Sequence, residues 1–88
     1  MNARALFAWN LRRLRVDRGI SQESLATDAG IDRAYISELE RMRGNATLDM
    51  LDRIAKVLDV EIGEFFRRVQ TGSKRAKGLP SGRPVKGR

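Results

Sequence analysis

Residues 21–40 constrain the fold more than any other stretch, because they encode two short amphipathic helices on either side of a glycine turn. Ser21 and Asp32 are of the types that cap helix N-termini, and Gly30 can end the first helix because glycine adopts the left-handed conformation without strain. The apolar residues at helical spacing are Leu25, Ala26 and Ala29 in the first helix and Ile36 and Leu39 in the second. Each helix is therefore expected to pack through one face, which leaves a polar face on the second.

Helical periodicity continues on both sides of this stretch. Residues 4–18 carry apolar side chains at steps of four and three before Gly19, Thr47 can cap a further helix, and a short last helix is expected from near Glu61. The apolar positions are Phe7, Leu11 and Leu14 in the first of these helices, Leu48, Leu51, Ile54, Ala55 and Leu58 in the second, and Val60, Ile62, Phe65 and Phe66 around the last. No segment alternates as a strand does. The predicted fold class is all-α with five helices.

The composition excludes several classes of function. A chain of 88 residues with 41% hydrophobic content forms one small domain. It contains no Cys and no His, which excludes disulfides, ordinary zinc sites and histidine acid-base catalysis. Its carboxylates form no paired constellation, and no apolar run approaches the roughly twenty residues of a membrane span. We therefore expect a cytoplasmic protein that is not an enzyme, is not bound to a membrane, and has no metal, cofactor or small-molecule substrate.

The positive charge of the chain is concentrated at its C-terminal end. The net charge is +7, yet residues 1–68 hold 12 basic and 11 acidic residues, whereas residues 69–88 hold 6 basic residues and no acidic one. Residues 69–88 also contain both prolines and four glycines and lack apolar periodicity, so they are predicted to be a disordered basic tail that follows a domain of residues 1–68. Such a tail can be an arm along the DNA backbone or only a solubilising extension.

Two segments carry a family pattern, NLRRLRVDRGISQESLATDAGIDRAYISELE and, after a short gap, LDMLDRIAKVLDV. With them the chain resembles the phage-repressor (Xre type) family of helix-turn-helix proteins over about residues 7–66. The DRAYIS stretch at residues 32–37 is similar to that of restriction-modification controller proteins. The resemblance implies a compact five-helix lambda-repressor-like domain that binds double-stranded DNA, with the third helix in the major groove.

The polar face of that third helix contains the candidate base contacts. Arg33 lies in its first turn, where a guanidinium can donate to guanine O6 and N7. Ala34 can pack on a thymine methyl group, and Ser37 can reach a base or a phosphate. Glu38 can accept from cytosine N4. A solvated helix face has a similar composition, but the surrounding pattern favours DNA.

Candidate phosphate contacts lie at both ends of the helix pair. Gln22 begins the first helix of the pair, where its amide and the free backbone N–H groups can bind one phosphate. The complete set of candidates is Ser21, Gln22, Tyr35, Arg41, Arg43 and Asn45. The family commonly has glycine and proline where this chain has Met42 and Ala46, so the third helix is predicted to continue to Arg43 and to stop at Gly44.

Two further groups of residues are assigned through the resemblance. It implies an ion pair of Arg15 with Glu40 that ties the first helix to the third, so neither is counted as a DNA contact. It also implies pairing of two copies through the last helix, where Ile62, Phe65 and Phe66 offer apolar surface. The alternative is that these three side chains complete the core of a monomer.

The function expected from these observations is sequence-specific transcriptional regulation by a homodimer on a palindromic operator. Two alternatives stay open at this point. One is an antitoxin-type autorepressor that also binds a toxin as its protein partner, for which a tail that folds on binding is suited. The other is a non-specific nucleic-acid-binding protein whose affinity comes from the basic tail.

Overall fold

Helices make up all the regular structure in a computed structural model of the protein, which describes residues 1–69. They are α1 (Ala3–Asp17), α2 (Gln22–Ala29), α3 (Arg33–Glu40), α4 (Leu48–Leu58) and a 3-10 helix (Ile62–Phe66). The all-helical prediction is confirmed for these residues, with four α-helices, and the last predicted helix is a 3-10 helix. Apart from Val69, the predicted tail lies outside the described residues.

Side-chain caps define where the α-helices begin. The three caps predicted from sequence are confirmed, and α1 has a fourth that was not predicted, at Asn2. The hydrogen bonds run from the backbone N–H of Ala5 to Asn2 Oδ1 at 2.8 Å, of Ser24 to Ser21 Oγ at 3.0 Å, of Ala34 to Asp32 Oδ2 at 3.1 Å, and of Met50 to Thr47 Oγ1 at 3.1 Å. Each cap satisfies one N–H that has no partner within its helix.

One core joins all five helices. α1 packs against the 3-10 helix and α3, while α2 packs against α3 and α4. The side chains at its centre, all at most 2% exposed, are Leu11, Leu25, Ile36, Leu39, Ile54, Leu58 and Phe65. Leu48, the first of the apolar positions noted in α4, lies outside this core and is 79% exposed. Because helical side chains project towards the helix N-terminus, that of the first residue of α4 projects beyond the end of the core.

The end of α3 differs from the prediction. The helix ends at Glu40, and the next turn is closed by hydrogen bonds from Met42 N to Leu39 O at 3.1 Å and from Arg43 N to Glu38 O at 2.9 Å. Met42 takes the left-handed conformation, with φ 65°, that glycine usually provides. The prediction of a helix to Arg43 was wrong because these bonds and the packing of the following loop offset the strain of a side chain in that conformation.

Candidate nucleic-acid interface

The outer face of α3 presents the four predicted base-contacting residues. Ile36 and Leu39 are buried on the inner side of the helix, at 0% and 2% exposure. Helical geometry therefore puts Arg33, Ala34, Ser37 and Glu38 together on the opposite side, the first two exposed and the last two half-buried. Glu38 Oε2 lies 3.6 Å from Arg41 Nη1. This exposed ion pair contributes little stability, but it places a positive charge beside a carboxylate that phosphates would otherwise repel.

An ion pair behind α3 fixes its position on α1. Arg15 Nε lies 2.6 Å from Glu40 Oε2 and Arg15 Nη2 lies 3.0 Å from Glu40 Oε1, with the two side chains only 12% and 4% exposed. Arg15 Nη1 also donates to Ile20 O at 2.8 Å, in the turn that follows α1. The hydrogen bond to Glu40, helped by charge attraction and opposed by burial, raises the pKa of Arg15 above its usual range. The Arg15 guanidinium therefore stays charged, and its hydrogen bonds to Glu40 hold α3 against α1.

The start of α2 is tied into the same network. Gln22 Nε2 donates to Glu40 Oε1 at 3.1 Å, so one hydrogen of its amide is already used within the protein. The second hydrogen of that amide is the one left for a phosphate. Ser21, which is exposed, accepts from Ser24 N through Oγ, and its own hydroxyl hydrogen stays free to donate. Both residues predicted to contact phosphates therefore make structural hydrogen bonds within the protein.

The loop between α3 and α4, residues 41–47, is held by a tyrosine of α3. The Tyr35 hydroxyl donates to Asn45 O and accepts from Asn45 N at 3.0 Å, so both of its hydrogen bonds go to one backbone position. Gly44 packs against Leu39 and Tyr35 with no room for a side chain, because a Cβ at this position would lie 2.9 Å from Leu39 Cδ2 and 3.5 Å from Tyr35 Cε1. The predicted phosphate contacts Tyr35 and Asn45 are thus brought together. Arg41 and Arg43 are exposed on the same loop.

Two residues of α1 bind distant parts of the chain, and sequence reasoning did not identify them. Arg4 Nε donates to Gly44 O at 3.1 Å, and Arg4 Nη2 donates to Asn45 Oδ1. Asn10 is 1% exposed, and its Nδ2 donates to Phe65 O at 3.1 Å and Arg67 O at 2.9 Å. These partners are 40 to 57 positions away along the chain, and no local pattern signals such contacts.

The three predicted dimer-interface residues differ in exposure. Phe65 is fully buried, with its ring centroid 5.2 Å from that of Phe7, so it has no area to give to a second copy. Ile62 and Phe66 are 38% and 41% exposed. Phe66 lines a surface cleft with Met1, Leu6 and Val69, and Ile62 lines a second cleft beside the end of α4.

Residues 1–69 lack two kinds of feature that would point to other functions. No helix in this part of the chain is long and apolar enough to cross a membrane. The same residues bring together no group of three His, Cys, Asp or Glu side chains that could hold a metal ion.

Comparison with known proteins identifies the family. The sequence profile of the helix-turn-helix family matches residues 11–65. A hypothetical transcription factor of Neisseria meningitidis serogroup B is 46% identical over 84 residues, which are 89% of this chain and 79% of that protein. The control protein C.BamHI of Bacillus amyloliquefaciens is 39% identical over 61 residues, 68% of this chain and 75% of that protein.

A solved structure agrees with the sequence relatives. The crystal structure of the restriction-modification controller protein C.AhdI from Aeromonas hydrophila superposes with a TM-score of 0.70 at 40% identity, over 72% of this chain and 96% of that one. Residues 11–65, which the family profile matches, include α2 and α3, with the polar outer face and the buried Arg15–Glu40 pair described above. The chain belongs to the helix-turn-helix family, of the Xre type, among whose members are restriction-modification controller proteins.

Proposed function

We propose that the protein is a sequence-specific transcriptional regulator that binds a palindromic operator as a homodimer. The observation that carries the proposal is the outer face of α3, with Arg33, Ala34, Ser37 and Glu38 on a helix held from behind by the Arg15–Glu40 pair. Rigid support of this kind suits a helix that must place side chains against base edges. The control proteins and the transcription factor among its relatives support the same role.

Base reading is assigned to the outer face of α3, over residues 33–38. Arg33 is exposed in the first turn and is assigned to guanine, through bidentate donation to O6 and N7. Ala34 is assigned to a thymine methyl group, Ser37 to a base or a phosphate, and Glu38 to cytosine N4. The positive charge of the neighbouring Arg41 reduces the repulsion between this carboxylate and nearby phosphates.

Phosphate contacts on both flanks fix the register of α3 in the groove. Ser21 and Gln22 provide donors at the start of α2, and Arg41, Arg43 and Asn45 provide them around the loop after α3. Tyr35, also expected from sequence to contact a phosphate, contributes by holding the backbone of Asn45, because its single hydroxyl hydrogen is donated to Asn45 O. Such contacts set position and affinity, but they carry little sequence information. The six basic residues of the tail, within residues 69–88, add a further contact with the DNA backbone.

Pairing of two copies extends the short site that one α3 can read. A single module contacts only a few base pairs, so two modules related by a two-fold axis read a palindrome. Phe66 and Ile62 supply the exposed apolar area for pairing, and Phe65 supports them from inside the core. The regulator acts on DNA and therefore belongs in the bacterial cytoplasm.

Selection from random duplex DNA at near-physiological salt tests the proposal. The wild-type protein is expected to retain a motif with two-fold symmetry whose half-sites lie about one helical turn apart, roughly 10 base pairs. If DNA is retained without any enriched motif, and this retention is lost as the salt concentration rises, the result would instead identify non-specific binding through the basic tail.

A further inference from the structure

We infer that Arg4, in the first turn of α1, is a positioning residue for DNA binding that orients the side-chain amide of Asn45 towards the phosphate backbone. The inference rests on the proposed function. It begins from an unusual pairing, in which an exposed arginine at the N-terminus of the first helix contacts a loop 40 positions further along the chain.

The guanidinium of Arg4 binds two successive residues of the loop. Its Nε donates to Gly44 O at 3.1 Å and its Nη2 donates to Asn45 Oδ1. The planar fork of a guanidinium suits this two-point contact, because its N–H groups diverge at fixed angles. The ammonium of a lysine is a single point charge and cannot make both bonds with the same geometry.

The chemistry of the two side chains determines which end of the Asn45 amide faces outward. Arginine has donors only, so the atom of Asn45 that it contacts must be the acceptor Oδ1. The Nδ2 group, with two hydrogens, is then directed away from Arg4. A phosphate oxygen accepts and does not donate, so the end of the amide that remains free is the one that can bind it.

The backbone of Asn45 is fixed independently of Arg4. The Tyr35 hydroxyl binds both the N–H and the carbonyl group of Asn45, and Gly44 packs closely on Leu39. Removal of Arg4 is therefore expected to release the side chain of Asn45 while the loop keeps its place. This division makes Arg4 a determinant of DNA affinity more than of folding.

A double-mutant cycle on the full-length protein tests this inference, with the selected operator and an unrelated duplex as probes. Arg4→Ala is expected to lower the affinity for both duplexes by a similar factor, about fivefold to tenfold. Asn45→Ala is expected to have the same effect. In the Asn45→Ala background, Arg4→Ala is expected to lower the affinity further by less than about twofold, because the amide that Arg4 orients is already absent. Arg4→Lys should restore only part of the loss.

Arg12→Ala is the matched control, since it removes the same charge from an exposed position on α1, next to Trp9 and Val16. It is expected to change affinity by less than about twofold. Asn45→Asp provides a variant that keeps an acceptor for Arg4 but turns a carboxylate oxygen towards the phosphate, and it should bind more weakly than Asn45→Ala.

Three results would overturn the inference, namely equal losses for Arg4→Ala and Arg12→Ala, additive losses for Arg4→Ala and Asn45→Ala, or wild-type affinity for Asn45→Asp. Additive losses would make Arg4 a phosphate contact in its own right. Failure of the wild-type protein to bind either duplex would contradict the proposed function itself, which separates that outcome from the others.

Discussion

At the scale of single residues, buried polar groups decide where the outer face of α3 points. Glu40 accepts hydrogen bonds from both Arg15 and Gln22, so one carboxylate joins α1, α2 and α3. A carboxylate that is 4% exposed needs such partners, because burying an unpaired charge is costly. The pair therefore contributes geometry as well as stability.

Glu40→Gln is predicted to lower the free energy of unfolding by about 3 kcal/mol, because it leaves the Arg15 guanidinium partly buried without a counter-charge. The measurement is urea unfolding followed by circular dichroism, with an unchanged m-value as the check on two-state behaviour. The double variant Arg15→Met/Glu40→Leu removes both charges and should recover most of the loss. A Glu40→Gln protein as stable as wild type would show that the pair does not hold the helices.

The pH dependence of the stability loss caused by Glu40→Gln follows from the raised pKa of Arg15. A cation whose pKa is higher in the folded state contributes stability fully below its unfolded pKa, and the contribution is lost only as the pH rises through the folded pKa. Both values lie in the strongly basic range, so the loss caused by Glu40→Gln should be the same at pH 6 and pH 9.

Residue-level prediction of the site from sequence was incomplete for a physical reason. The type and spacing of Arg33, Ser37 and Glu38 can be interpreted from helical periodicity, because their neighbours lie within one or two turns. The contacts of Arg4 and Asn10 could not be predicted, because they depend on how distant elements meet. The same holds for the bond between Gln22 and Glu40, 18 positions apart.

At the scale of elements, helix starts were predictable and helix ends less so. Ser21, Asp32 and Thr47 cap their helices through bonds that span two or three residues, so the sequence contains the whole cause. The end of α3 depends on Met42 at φ 65°, a left-handed conformation that glycine adopts far more readily than other residues. This conformation is tolerated at Met42 because the loop that follows is held by the Tyr35 hydroxyl, which binds the backbone of Asn45.

Met42→Gly is predicted to stabilise the protein by roughly 0.5–1 kcal/mol, because it removes the strain of a left-handed methionine, and the greater entropy of the unfolded chain offsets only part of that gain. Thermal unfolding should show this as a rise of a few degrees in Tm. Asp59→Gly is the control, since Asp59 also lies in the left-handed region, at φ 57°, where aspartate is tolerated better. A Met42→Gly protein with a lower Tm than wild type would contradict this account of the α3 terminus.

At the scale of the whole molecule, the charge is divided between a nearly neutral folded part and a basic tail. Residues 1–68 are almost balanced, and the 6 basic residues among residues 69–88 account for most of the net charge of +7. In the proposed function, affinity for the DNA backbone depends on the number of phosphates neutralised, whereas sequence preference depends on α3. The two properties should therefore be separable by mutation.

Removal of residues 69–88 is predicted to flatten the dependence of DNA affinity on salt, because fewer counterions are released, while the preferred motif stays the same. Each phosphate that the protein no longer neutralises should reduce the slope of log affinity against log salt by about 0.9. A full-length variant with the tail's Lys and Arg changed to Gln separates charge from length and should behave like the truncation. An unchanged slope in both variants would leave the tail as a solubilising extension.

The central claim is that the outer face of α3 reads the operator, and parallel selections with wild-type protein and Arg33→Ala test it most directly. Both proteins are predicted to retain motifs with the same two-fold symmetry and half-site spacing, but Arg33→Ala should lose its preference at one base-pair position in each half-site. Its affinity for the wild-type operator should fall by about 1–3 kcal/mol. An identical motif from the two proteins, with equal preference at every position, would contradict the claim.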